Sequence, residues 1–175
     1  MSEADCIAAL QSGWNAGDAE ADLLVTGEMG IGNTTAAAAL CLGQFGADAT
    51  GWVGPGTGLD DDGVKHKAKV IEAALAAQSP VAQHPVALLA AFGGRELAAI
   101  AGAVLAARMR SIPVMLDGFI STAAAAALTA DKKLGVLDHA MISHMSGEPG
   151  HLRPVSYTHL RAHETLRYLV CRLLL

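Results

Sequence analysis

Short apolar runs alternate along the chain with longer stretches in which apolar residues recur at helical spacing. Asp22–Thr26 reads as a buried strand, because it is short, apolar and runs into a glycine-rich turn at Gly27. A helix follows from Thr34 through Ala36 to Leu42. Beyond a glycine-rich loop from Gly51 to Gly58, Asp60, Asp61 and Asp62 stand where carboxylates favour a helix amino terminus. The helix they introduce, Lys65–Gln78, has Val70, Ala74 and Ala77 at helical spacing and Lys65, Lys69 and Glu72 on its charged face. Leu97–Met109 is the next helix, Ser111–Leu116 a strand that ends at Asp117-Gly118, Ile120–Ala130 an alanine-rich helix, and Ala140–Ser143 the last strand. Strands separated by helices imply βαβ units, and so a parallel sheet. The predicted class is α/β: a Rossmann-like three-layer fold with helices on both faces of the sheet, incomplete in this chain. Ligands of such sheets sit beyond the carboxyl ends of the strands, which singles out the segments after Thr26, Leu116 and Ser143.

Composition narrows the picture. In 175 residues, 52% are hydrophobic and the net charge is only -5, so the chain buries enough apolar surface to fold, as one domain. Aromatic residues make up 4%, which means that small side chains supply much of the apolar content and favour close packing and backbone-lined sites. The acidic balance argues against a general nucleic-acid binder but leaves room for a small anion held by backbone amides. Cys6, Cys41 and Cys171 are too far apart for a disulfide framework or a metal knuckle, so a reducing cytoplasm is expected. The acidic start, Met1 to Cys6, is unlike a secretory signal. Val86–Ala107 is interrupted by Gly93-Gly94-Arg95-Glu96, leaving pieces shorter than the roughly 20 apolar residues that span a bilayer, and no membrane association is expected.

The composition breaks at the carboxyl end. Residues 154–175 hold no glycine, one alanine, both tyrosines and six leucines. The chain therefore divides into a partial α/β domain, 1–153, and an atypical tail, 154–175. Ser156–Thr165 resembles a translated cloning or adapter sequence, and a native amphipathic tail is the other reading.

Three segments carry candidate chemistry. Gly27-Glu28-Met29-Gly30-Ile31-Gly32-Asn33-Thr34-Thr35 copies the spacing of a phosphate-binding P-loop, with Asn33 where the lysine belongs. Without that cation, and with Glu28 present, a single phosphate or a cationic ring fits better than a triphosphate; a plain turn capped by Asn33 or Thr34 is the structural alternative. Asp117-Gly118 closes an apolar strand, suited either to a sugar hydroxyl or to capping the next helix. In Ser143–His151, a metal reading would take His144, Glu148 and His151, but they lack the i, i+4 spacing that presents two ligands from one helix face. Ser146-Gly147 there can cradle a phosphate. Lys67, read as lying in the first turn of its helix behind the three aspartates, is either a ligand group or part of a solvated face.

Together with Trp52–Leu59, with Lys67 ahead of Val70-Ile71, and with Pro113–Phe119, these motifs resemble, in order, the nicotinate-nucleotide:dimethylbenzimidazole phosphoribosyltransferases of cobalamin synthesis. The similarity runs from about Met1 to His151. It implies transfer of phosphoribosyl from nicotinate mononucleotide to 5,6-dimethylbenzimidazole, with inversion at the anomeric carbon, without metal or cofactor, in a bacterial homodimer. It implies that Glu28 stabilises the developing cation. Gly30, Gly32, Asn33, Thr34, Gly56, Lys67, Ser146 and Gly147 would bind substrate, chiefly its 5′-phosphate, and Asp117 with Gly118 the ribose. Family chains are about twice as long and carry a Leu-Gly-Glu-Gly-(Ser/Thr)-Gly motif whose Glu is the base. That motif has no counterpart here; Glu164, without flanking glycines, does not take the role. The chain is expected to be a central fragment with little or no transferase activity. A mononucleotide-binding module without catalysis and a degenerate P-loop NTPase are the rival readings.

Overall fold

A computed structural model describes residues 1–56, 58–78, 84–130, 135–144 and 148–158. Three short strands, β1 (Leu24–Thr26), β2 (Val114–Leu116) and β3 (Ala140–Ile142), pair in parallel in the order β1-β2-β3. Leu24, Val114 and Ala140 are in register, as are Val25, Met115 and Met141, and Thr26, Leu116 and Ile142. Side chains alternate across a sheet, and here one face is the core: Thr26, Val114, Leu116, Ala140 and Ile142 are buried, while Val25 on the other face is 56% exposed. Parallel strands need long crossovers, and helices supply them. Between β1 and β2 run α2 (Asn33–Phe45), α3 (Asp61–Ala77), α4 (Pro85–Leu88) and α5 (Gly94–Met109); α6 (Gly118–Ala127) joins β2 to β3. The sheet flanked by helices is the α/β architecture expected.

An amino-terminal helix, α1 (Glu3–Ala16), has no counterpart in the hydrophobic pattern. A reciprocal cap starts it: Ser2 Oγ accepts from Asp5 N at 3.1 Å and Asp5 Oδ2 from Ser2 N at 3.3 Å. Its buried residues, Cys6, Ala9 and Gly13, are small and let it lie directly on α5. A Cβ at Gly13 would fall on the carbonyl oxygen of Ala99, and one at Gly102 on that of Leu10. The two backbones touch at both crossings.

The segment Pro85–Met109 is long and apolar enough to cross a membrane by length and composition. Gly94, at φ +75° and ψ 177°, divides it where the sequence placed an interruption, because no helix interior adopts those angles. Leu97, Ala98, Ala101 and Val104 beyond the break are fully buried, as core residues are.

Two details differ from the sequence pattern. The buried side of α3 is Lys67, Ala68 and Ile71, whereas Val70 is 45% exposed and Ala77 exposed. Asp60 is the cap, its Oδ1 accepting from Gly63 N at 2.8 Å, so Lys67 lies in the second turn rather than the first. At the other end, α7 (Leu152–Thr158) runs across the composition break at residue 154, and residues 159–175 lie outside the described part.

Candidate functional site

The site forms at the carboxyl ends of the three strands. After β1 the chain enters the loop 27–32, and Gly32, at φ +95°, turns it into α2 without a side-chain cap. Asn33 and Thr34 therefore do not cap the helix. Glu28 Oε1 instead accepts from the amide of Gly30 and from Asn33 Nδ2, the latter at 2.7 Å. Its second oxygen, Oε2, is buried with no hydrogen-bond partner among the described residues. An unpartnered buried carboxylate oxygen has lost water without gaining a donor, which makes it ready to meet positive charge. The same geometry commits the Gly30 amide to Glu28, so in this state that amide does not point at an anion. Met29 and Ile31, on the same loop, are 99% and 92% exposed.

A second cluster lies behind this loop. Lys67 is only 5% exposed, which rules out the solvated-face reading. Its ammonium donates to Thr34 Oγ1 at 2.8 Å and to the carbonyl oxygen of Gly54 at 3.3 Å. Burial pushes its pKa down, and the nearby Glu148 carboxylate pulls it back up. Gly56 completes the cluster: a Cβ there would stand 3.2 Å from Thr34 Oγ1 and 3.8 Å from Lys67 Nζ. Adjacent residues of the first turn of α2 thus hold opposite charges, Asn33 the carboxylate of Glu28 and Thr34 the ammonium of Lys67.

The end of β2 supplies Asp117, whose side chain makes no capping bond to α6. Its amide donates to Thr26 O at 2.9 Å, stitching the β1 and β2 ends together. Its Oδ1 accepts from Ser143 Oγ at 2.7 Å and lies 2.9 Å from His144 Nδ1. A carboxylate only accepts, so the His144 proton facing it sits on Nδ1. Deeper in, His151 is fully buried with Nε2 3.0 Å from Thr122 Oγ1. That hydroxyl donates its own proton to Gly118 O at 2.8 Å, so His151 Nε2 must be the donor. Burial, followed by the repulsion of His144, drives the His151 pKa down to about 4, against a smaller opposing pull from Asp117.

Of the residues singled out in the sequence, Glu28, Gly30, Gly32, Asn33, Thr34, Gly56, Lys67, Asp117 and Gly118 cluster at these strand ends. Ser146 and Gly147 lie outside the described residues. The metal set is not assembled, since Glu148 turns to Gly56 and His151 to Thr122, and no other metal cluster forms among the described residues. The role of Thr122 had no sequence signal, because it stands within an alanine-rich helix.

A carboxylate held by Asn33 and a buried ammonium held by Thr34 stand at the carboxyl end of a parallel sheet, where α/β proteins commonly take small ligands. The chain belongs to a phosphoribosyltransferase family, DBI_PRT, whose model matches residues 1–169. It is 50% identical over 155 residues to the nicotinate-nucleotide--dimethylbenzimidazole phosphoribosyltransferase of Sinorhizobium fredii, covering 89% of this chain and 46% of that protein. The protein of the same name from Novosphingobium aromaticivorans is 50% identical over 153 residues, 87% of this chain and 45% of its own length. Among solved structures, CobT from Thermus thermophilus superposes with a TM-score of 0.86 at 38% identity, over 93% of this chain and 50% of that one. The chain thus spans about half the length of the relatives it matches.

Proposed function

We propose that this chain carries the mononucleotide half of a phosphoribosyl-transfer site. The reaction moves the phosphoribosyl group of nicotinate mononucleotide to 5,6-dimethylbenzimidazole, giving α-ribazole 5′-phosphate and nicotinate. One observation supports it above the others: successive residues of α2, Asn33 and Thr34, hold a carboxylate, Glu28, and a buried ammonium, Lys67. Nicotinate mononucleotide has the matching pattern, a cationic ring on an anomeric carbon at one end of its ribose and a phosphate at the other.

The chemistry follows from the charges. As the pyridinium leaves, the anomeric carbon becomes oxocarbenium-like, and the Glu28 carboxylate, held by its own loop, stabilises that charge once the ligand uncovers Oε2. Lys67 holds the 5′-phosphate as a point charge, with the Thr34 hydroxyl, Gly32 and the open backbone at Gly56 beside it. Ser146 and Gly147 add donors in the proposed complex, and Asp117 with Gly118 orients the ribose hydroxyls. The Gly30 amide first has to leave Glu28 to reach a phosphate, and so contributes least. The protein is read as soluble, cytoplasmic and homodimeric in its full-length form.

A second reading, binding of the mononucleotide without turnover, is favoured for this 175-residue chain by Met29 and Ile31, two large apolar side chains that the described residues leave uncovered. Calorimetric titration tests the common part. Nicotinate mononucleotide should bind the chain, nicotinate riboside should bind more weakly, and Lys67→Ala should abolish the difference. Equal affinity for the two ligands in the unaltered chain would overturn the assignment. Product formation beside a full-length relative then separates the readings: turnover within about tenfold of it would contradict binding alone, since a lost general base typically costs about 10² to 10⁴ in rate.

A further inference from the structure

Glu148 reaches back 92 residues to the loop that borders Lys67, where its Oε1 accepts from the amide of Gly56 at 2.9 Å. Its Oε2 is buried and lies against Gly54, where any Cβ would displace it. Pro149 and Gly150 follow the same loop closely. A Cβ at Gly54 would stand 2.8 Å from Pro149 Cδ, and one at Gly150 would stand 2.6 Å from the carbonyl oxygen of Trp52. The Gly54 carbonyl accepts from Lys67. The strap 54–56 is therefore held by both an ammonium and a carboxylate.

A carboxylate next to an anion site opposes the anion, so its place there implies a need of the ligand-free protein. The need is visible in Lys67, whose other partners, the Thr34 hydroxyl of α2 and the Gly54 carbonyl, are neutral. Glu148 is the charged group acting on it among the described residues. We propose that Glu148 is a positioning residue: it holds the strap 54–56 against Lys67 and keeps the phosphate cradle shaped before the ligand arrives. The assignment of the cradle to a phosphate rests on the proposed function, but the grip on strap and ammonium is a property of the free protein.

The test uses the 175-residue chain, first without ligand. Glu148→Ala should speed hydrogen exchange at the Gly56 amide by about tenfold or more, as expected when a hydrogen bond to a charged acceptor is lost. Glu148→Gln keeps an acceptor for that amide and should preserve its protection, while the Lys67 ammonium, followed by NMR, titrates at lower pH. With nicotinate mononucleotide added, Glu148→Ala should bind about tenfold more weakly or worse. Glu148→Gln should lose affinity progressively as pH rises. Nicotinate riboside should be indifferent to both. Unchanged Gly56 exchange in Glu148→Ala together with unchanged Lys67 titration in Glu148→Gln would overturn the positioning role, even with tight mononucleotide binding. If both probes of the free protein respond and the mononucleotide still fails to bind, the positioning role stands and the proposed function falls.

Discussion

The Glu28 loop and the Lys67 cradle are both glycine-rich and both flank the start of α2, yet they are held in opposite ways. Glu28 is fixed by partners two and five residues away. Lys67 is fixed by partners 13 and 33 residues away, and its strap by one 92 residues away. A locally closed loop can form its shape as soon as the chain turns, and it tolerates exposure of its tip, as Met29 and Ile31 show. A cradle closed over long sequence distance exists only in the finished fold, and it is buried. In the proposed function, charge delivered to the reacting centre stands on the first kind of structure, and charge that holds the ligand in place stands on the second.

The largest expected effect strikes the local loop. In a full-length enzyme containing this segment, Glu28→Gln should lower kcat by about 10² to 10³ with a much smaller change in KM, because the charge matters most in the transition state. Equal losses in binding and turnover would erase the distinction between the two regions. The long-range side is probed through His151, in the segment that follows Glu148. The unfolded chain protonates this histidine below pH 6.5 and the folded one only near 4, so stability falls as pH drops through that window, by about 3 kcal/mol in all. His151→Gln, which keeps an N–H for Thr122, should remove that share of the acid dependence in urea titrations. A slope unchanged by the substitution would place the acid sensitivity elsewhere.

Lys67→Ala should weaken nicotinate mononucleotide by about 10- to 100-fold, as loss of a charged hydrogen-bond partner does, and leave the riboside alone. If both ligands weaken alike, the lysine serves only the fold. Asn33→Ala is the finest cut, because it frees one oxygen of Glu28 while the Gly30 amide still holds it. About a 3- to 10-fold loss in kcat is expected, with the melting temperature unchanged. The smallest effect belongs to the tail. Removing residues 159–175, whose composition breaks from that of the rest of the chain, should shift the unfolding free energy by less than about 0.5 kcal/mol. A clear drop on deletion would show that the tail belongs to the native packing.

The same division governs what the sequence disclosed. Strands ending at Thr26 and Leu116 and helices starting near Thr34 and ending at Met109 could be read from periodicity and punctuation, because those signals are local. Glu28, Asp117 and their glycines stand out in the sequence by their position at strand ends. The burial of Lys67 was not legible, since nothing in the spacing of α3 says that a lysine will find Thr34 and Gly54 beneath it. The helix α1 escaped because its contact stripe is cysteine, alanine and glycine, too small to register as a hydrophobic face, although Ser2 and Asp5 offered a capping signal. Thr122 and Glu148 acquire their roles only from chain that folds back onto them.

The crossing of α1 and α5 bears on how this chain can change by descent. Every single-base change that alters a glycine codon without creating a stop gives a residue with a Cβ, and at Gly13 and Gly102 that atom would land on a backbone carbonyl rather than on a side chain able to swing aside. No missense step from either position is therefore a small one. The two helices must either keep both glycines or separate by the width of a methyl group along their length. Genetic drift has almost no room at this seam, although it lies away from the candidate site.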